Sequence, residues 1–131
     1  MSSESPAAPS KTLIWIGRVI SALPVLGLTM SAVMKFQQPP DMAKDFARLG
    51  WPMDLAVTLG IIEAVCVLLY VVPQTSVLGA ILLTGYLGGA VATHVRISDP
   101  IWFPPVIMGV LIWLGLLLRD ARLRPLLPFR R

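Results

Sequence analysis

The chain has one cysteine, one histidine and only seven acidic residues in 131 positions. Each scarcity closes off a class of function. A lone cysteine, Cys66, cannot form a disulfide within the chain, and without a Cys-x-x-Cys pair there is no thiol-exchange motif. Set inside an apolar run, Cys66 reads as a small buried hydrophobe. A single histidine excludes bis-histidine haem ligation within one chain. The absence of a Cys/His cluster leaves no dedicated metal site. No glycine-rich phosphate loop, nucleotide fingerprint or nucleophile–base pair is present. Charge of either sign is sparse as well, at 14% of residues against roughly 25% in an ordinary soluble domain.

What fills the chain instead is apolar side chains, 56% of the total. A soluble domain of this size cannot hide so much apolar surface, whereas a bilayer accepts it on the outer face of every helix. The length allows one domain. The net charge of +4 is unevenly placed, with Arg119, Arg122, Arg124, Arg130 and Arg131 crowded at one end. A basic tail after a membrane helix is an orientation signal and a contact for anionic lipid rather than a nucleic-acid footprint.

Hydropathy and turn signals divide the chain into an all-α, four-transmembrane-helix bundle. Residues 1–10 form a Ser/Pro/Ala-rich tail with nothing to bury, which predicts disorder. Residues 11–120 form the transmembrane domain, with spans at about 13–34, 53–72, 77–95 and 102–118, and residues 121–131 form a basic tail. The first run is too long for the apolar region of a signal peptide and reads as a retained span, with Arg18 snorkelling to the inner surface. Between the first two spans, Asp41 suits an N-cap and Gly50 a C-terminal stop. Met42, Phe46 and Leu49 share a face there, which predicts a short amphipathic helix lying on the membrane beside Trp51. Pro73-Gln-Thr-Ser76 is a tight turn, so the second and third spans form a helical hairpin. Pro104 and Pro105 fit the first turn of the last span. Placing both termini in the cytoplasm puts seven Lys and Arg inside and four outside, the orientation that the positive-inside rule favours.

Glu63 stands alone in the middle of the second span, and an intramembrane carboxyl is a functional-site candidate by default. The alternative is a structural hydrogen bond to another helix. The turn between the second and third spans is centred between Gln74 and Thr75, which puts Glu63 level with Tyr86, each roughly 17 Å from the turn at 1.5 Å per residue. The expected arrangement is an uncharged Glu63 within hydrogen-bond reach of Tyr86, directly or through one water or ligand atom, unless Lys35 or Arg18 reaches the carboxyl and ionises it. Tyr70 and His94 extend the polar strip. Lys35, Thr93, His94 and Arg96 are placed to line an outward-facing mouth above Glu63, against a simpler reading of Lys35 and His94 as solvated ends. Gly85, Gly88, Gly89 and Ala92 place small residues along one arc of the third span. They suit helix packing inside the bundle or, alternatively, a homodimer seam.

Gly50-Trp-Pro52, Leu59-Gly-Ile-Ile-Glu63, the segment from Val77 through Gly85-Tyr-Leu-Gly-Gly89 to His94-Val-Arg96, and Trp113-Leu-Gly-Leu-Leu-Leu-Arg-Asp120 together resemble the DoxX-like family of small four-helix membrane proteins. The resemblance covers about residues 13 to 128 and is most specific in the third span. It implies a bacterial inner-membrane protein, a partnership with membrane redox enzymes or a role in assembly, and a link to quinones by analogy. It supplies no catalytic residue. Together these readings lead to an accessory subunit that binds a small lipophilic molecule, such as a quinone, or a membrane redox partner. The alternative is a scaffold or chaperone for another membrane protein. An independent enzyme is the reading with least support, because no second catalytic group stands at the depth of Glu63.

Overall fold

The computed structural model describes residues 10–127. Of the tail expected to be disordered over residues 1–10, residues 1–9 lie outside them, as do Arg130 and Arg131 of the basic tail, whereas Ser10 is ordered as the cap of α1. Five α-helices follow in order: α1 Lys11–Gln37, α2 Met42–Leu49, α3 Ala56–Val71, α4 Ser76–Arg96 and α5 Phe103–Arg119. Single 3-10 turns at Met53–Leu55 and Pro73–Thr75 lead into α3 and α4, and another follows α5. The long helices therefore match the expected spans to within a few residues. Counted with those 3-10 turns, three helical segments, Lys11–Gln37, Met53–Val71 and Pro73–Arg96, are long and apolar enough to cross a bilayer, and Phe103–Arg119 is a shorter apolar helix of 17 residues.

The helix ends follow from local chemistry. Ser10 caps α1 by accepting from the Thr12 amide at 3.2 Å. Gly50 ends α2 in a left-handed conformation with φ of 83°. The Trp51 amide then reaches back to the Phe46 carbonyl at 2.8 Å, the six-to-one bond of a Schellman motif. Asp41 departs from expectation: it makes no side-chain cap bond, because its own backbone is already helical. Pro104 and Pro105 occupy the first turn of α5, where a missing amide costs nothing.

The four long helices form a ring in which α1 packs against α5 and α3, and α4 packs against α3 and α5. The core holds Leu28, Val67, Tyr70, Leu83, Ile112 and Leu116. Large apolar side chains such as Trp15, Leu26, Met30, Leu68 and Val110 remain exposed on the outside, the surface a bilayer covers. This is an all-α membrane bundle.

The small residues that let helices approach are not those the glycine pattern of α4 suggested. A Cβ placed on Gly85, Gly88 or Gly89 meets nothing within 4 Å, and Ala92 is exposed. The packing role expected of this stripe is corrected accordingly: no helix of this chain lies against it. Close approach occurs instead at Gly79, where a Cβ would strike the Tyr70 backbone, and at Gly115, where it would strike Ser21. The helices α3 and α4 are thus pinned together beside their turn. Toward the other end they leave the glycine-lined face of α4 open.

Candidate functional site

The open face of α4 becomes one wall of a cavity of about 340 Å³. Gly85, Tyr86, Gly89 and Ala90 supply that wall, Leu59 comes from α3 and Lys35 from α1. Phe46 and Leu49 of α2, with Trp51, cover it. Phe46 is buried and Met42 and Leu49 are half-buried, so the amphipathic helix forms with the apolar face its spacing predicted, but Phe46 and Leu49 of that face turn into the bundle over the cavity. The lining is almost wholly apolar. Its polar groups are the Lys35 ammonium, the Tyr86 hydroxyl, Thr93 and His94. Thr93 is already committed, donating to the Gly89 carbonyl at 2.8 Å.

Glu63 lies one layer behind this wall, only 1% exposed. Its Oε2 accepts from Lys35 Nζ at 3.2 Å and from Ser31 Oγ at 3.2 Å. Lys35 also donates to Ser31 at 2.6 Å. The expected bond from Glu63 to Tyr86 is therefore corrected. Tyr86 approaches the same carboxylate closely enough to interact with it, which upholds the hairpin register, but Lys35 and Ser31 hold Oε2 and Oε1 has no hydrogen-bond partner among the described residues. The physical reason lies in side-chain direction. Side chains lean toward the N-terminus of their helix. Lys35, near the C-terminal end of α1, leans inward. Glu63, on the antiparallel α3, leans toward the α2 end. The two tilt toward each other and meet at 3.2 Å. Ser31, missed in the sequence reading, stands one turn before Lys35 on the same face, a spacing visible in the sequence.

Tyr70 does not belong to this site. It is 1% exposed, its hydroxyl lies 2.9 Å from Ser21 Oγ, and it donates to the Ile112 carbonyl at 2.7 Å. Two turns further along α3 than Glu63, it ties α1, α3 and α5 together near the opposite end.

A second polar group fastens the cover. The α4 helix ends in a left-handed Ser98 with φ of 56°, and the Asp99 amide returns to the His94 carbonyl at 2.9 Å. This turn brings the buried Asp99 carboxylate to 3.0 Å from His94 Nδ1 and 2.5 Å from Arg48 Nη1 of α2. Arg48, and then the Ile101 amide and His94, hold the Asp99 carboxyl below the usual carboxylate range. Arg96 adds a bond to the Leu49 carbonyl at the end of α2. Arg96 thus secures the cover rather than lining the mouth, and His94 does both. Nothing in the sequence links Arg48 to Asp99, 51 positions apart. Among the described residues no group of three or more His, Cys, Asp or Glu is placed to hold a metal ion.

A model of the DoxX-like family matches residues 19–115 of the chain. No curated protein and no solved structure matches it.

Proposed function

We propose, from the premise that the chain belongs to the DoxX-like family, that it is an accessory membrane protein holding a small lipophilic molecule in the cavity beneath α2. The observation that carries this reading is an apolar cavity whose wall presents one lysine and one tyrosine hydroxyl, with a buried carboxylate fixing the lysine. Pockets for small molecules combine an apolar lining with a few convergent polar groups in this way. A ligand carbonyl accepts from the Lys35 ammonium or the Tyr86 hydroxyl, and a ligand hydroxyl can also donate to Tyr86. A quinone, with carbonyls on a lipophilic ring, is the first class to test. Glu63 is engaged with Lys35 and Ser31 in holding the wall, and the role we assign is that of an accessory to a membrane redox partner rather than an independent enzyme. The proposed setting is a bacterial plasma membrane with both termini in the cytoplasm, supported by the excess of Lys and Arg at that end.

Purification in mild detergent followed by organic extraction tests the reading. About one equivalent of a quinone or another carbonyl-bearing or hydroxyl-bearing lipophile per chain supports it. A chain that carries no such compound in repeated preparations removes it.

A second reading, a scaffold for another membrane protein or for a second copy, draws on a separate observation. An apolar groove between α4 and α5, with Gly88 and Gly109 at its floor and Val106 and Val110 on its side, remains open. Crosslinking in native membranes at Gly88 and Val110 distinguishes the readings. A protein partner captured there that persists with Glu63→Gln favours the scaffold, which has no use for the carboxylate.

A further inference from the structure

The end of the bundle opposite the cavity contains a cation that repeats the situation of Lys35 without its solution. Arg119, near the C-terminus of α5, leans back into the bundle for the same reason Lys35 does. Its guanidinium lies over the Tyr70 ring at 5.0 Å. Its Nε and Nη2 atoms are buried and have no hydrogen-bond partner among the described residues. These two atoms form one edge of the guanidinium, the parallel pair of donors that fits two oxygens of a carboxylate or phosphate.

Neighbouring arginines show what that edge ordinarily does. Arg122 uses it on Asp120, donating from Nε to Oδ1 at 3.0 Å and from Nη2 to Oδ2 at 2.9 Å. Arg124 uses it on the carbonyls of Leu117 and Leu118 at 2.9 and 2.8 Å. Asp120, the one acid beside Arg119 among the described residues, is thereby occupied. Arg119 lines two adjoining cavities, of about 280 and 180 Å³, and the exposed Arg18 lines both with it. The larger also takes in Ser76, Asp120 and Arg122, three guanidinium groups against one carboxylate. The smaller continues between α1 and α3 along Ala22, Val25 and Val71, and Val71 faces the lipid.

We propose that Arg119 and Arg18 bind the phosphate group of an anionic phospholipid at this end of the bundle, with an acyl chain lying in the groove along Ala22, Val25 and Val71. A phosphodiester supplies two oxygens in the spacing of the Arg119 donor edge. The excess of positive charge selects a lipid with net negative charge. The apolar groove leading from the arginines distinguishes a lipid from a free anion, which has no use for it. The exposed Arg18 closes over the phosphate from the lipid side, and the Arg119 guanidinium turns from Tyr70 to meet it. This site is independent of the cavity beneath α2 and stands whether or not that cavity holds a ligand.

The test uses the full chain in mild detergent, with added phosphatidylglycerol, phosphatidylcholine or inorganic phosphate, read by native mass spectrometry and by thermal unfolding. Phosphatidylglycerol is expected to remain bound at one copy per chain and to raise the unfolding temperature, with phosphatidylcholine retained less. Arg119→Gln and, separately, Arg18→Gln should each weaken retention tenfold or more, beyond the roughly fivefold effect of any one basic residue near an anionic membrane. Arg119→Lys, which keeps the charge but lacks the paired donors, should fall between. Lys11→Gln, an exposed cation near the same end, should lose fivefold at most. Equal loss for Lys11→Gln and Arg119→Gln would reduce the site to general surface charge and overturn the proposal. Equal stabilisation by inorganic phosphate overturns the lipid, leaving a free-anion site. If Arg119→Gln fails to fold, the preference of the wild-type chain for phosphatidylglycerol and the Arg18→Gln result decide.

Discussion

Replacing Lys35 with methionine removes the cation from a pair whose carboxylate is 1% exposed and whose ammonium side chain is 15% exposed. Methionine fills similar space, so the main effect is electrostatic. Leaving one buried ion without its partner costs about 3–5 kcal/mol. Ser31 continues to donate to Glu63 at 3.2 Å, which places the expected loss near the lower end, about 3 kcal/mol. Glu63→Gln is milder. Its amide oxygen still accepts from Ser31 and Lys35, and the ammonium keeps its 2.6 Å contact with Ser31, so the loss is about 1.5 kcal/mol, the value of one charge-assisted bond. Removing both charges with Lys35→Met and Glu63→Leu should recover most of the stability, because a buried pair exchanged for apolar groups of similar volume is often neutral. The assay is reversible unfolding in mixed micelles, with Lys35→Met, Glu63→Leu and the double variant arranged as a double-mutant cycle. A coupling of about 2 kcal/mol or more is expected. If the losses simply add in the double variant, the two groups do not interact, and the account of the cavity wall fails with them.

Other predictions follow from the packing and from the cover. Gly79→Ala drives a methyl group into the Tyr70 backbone and should cost about 1–3 kcal/mol. Gly88→Ala meets nothing and should stay within about 0.5 kcal/mol of wild type; both are measurable in the same unfolding assay. Tyr70→Phe strips the hydroxyl from Ser21 and the Ile112 carbonyl and should cost about 1–3 kcal/mol for the two hydrogen bonds lost; the Ile112 carbonyl keeps its bond within α5. Because Asp99 titrates below its ordinary range in the folded chain, its contribution is fully present at neutral pH and is lost as pH falls through and below the usual carboxylate range. Limited proteolysis at α2 should accordingly be flat from pH 7 to about pH 5 and rise only in stronger acid, whereas Asp99→Asn should expose α2 at neutral pH.

The spans, the amphipathic helix and the hairpin register were legible because each rests on local information. Apolar runs set the helices, the spacing of Met42, Phe46 and Leu49 set the face of α2, and a short turn set the level of Glu63 with Tyr86. Part of the cavity was also legible, since Lys35, Thr93 and His94 fall at one end of the helices that carry them and Tyr86 stands two turns deeper along α4, whereas the cover of Phe46, Leu49 and Trp51 was not. The partner of Glu63 was named only as the exception. Depth arithmetic counts Cα positions, and it was the tilt of two long side chains on antiparallel helices that closed the distance from Lys35. The stripe of glycines in α4 was misjudged because small residues permit either close packing or an empty space, and only the position of α3 decides between them. The Arg48–Asp99 contact joins segments with no local relation and could be seen only once the chain was folded.

The measurement that bears most directly on the cavity is the quenching of Trp51, which lines it, by a short-chain quinone added to the purified chain in mild detergent. Gly89→Leu provides the control, because its Cβ enters open space and its side chain fills the cavity without pressing on another helix. The account predicts saturable quenching in the wild-type chain that is absent from Trp51→Phe and from Gly89→Leu, while Gly89→Leu unfolds as the wild type does. Quenching that rises without saturation, equally in the wild type and in Gly89→Leu, would mean that the quinone only partitions into the micelle and would contradict the account.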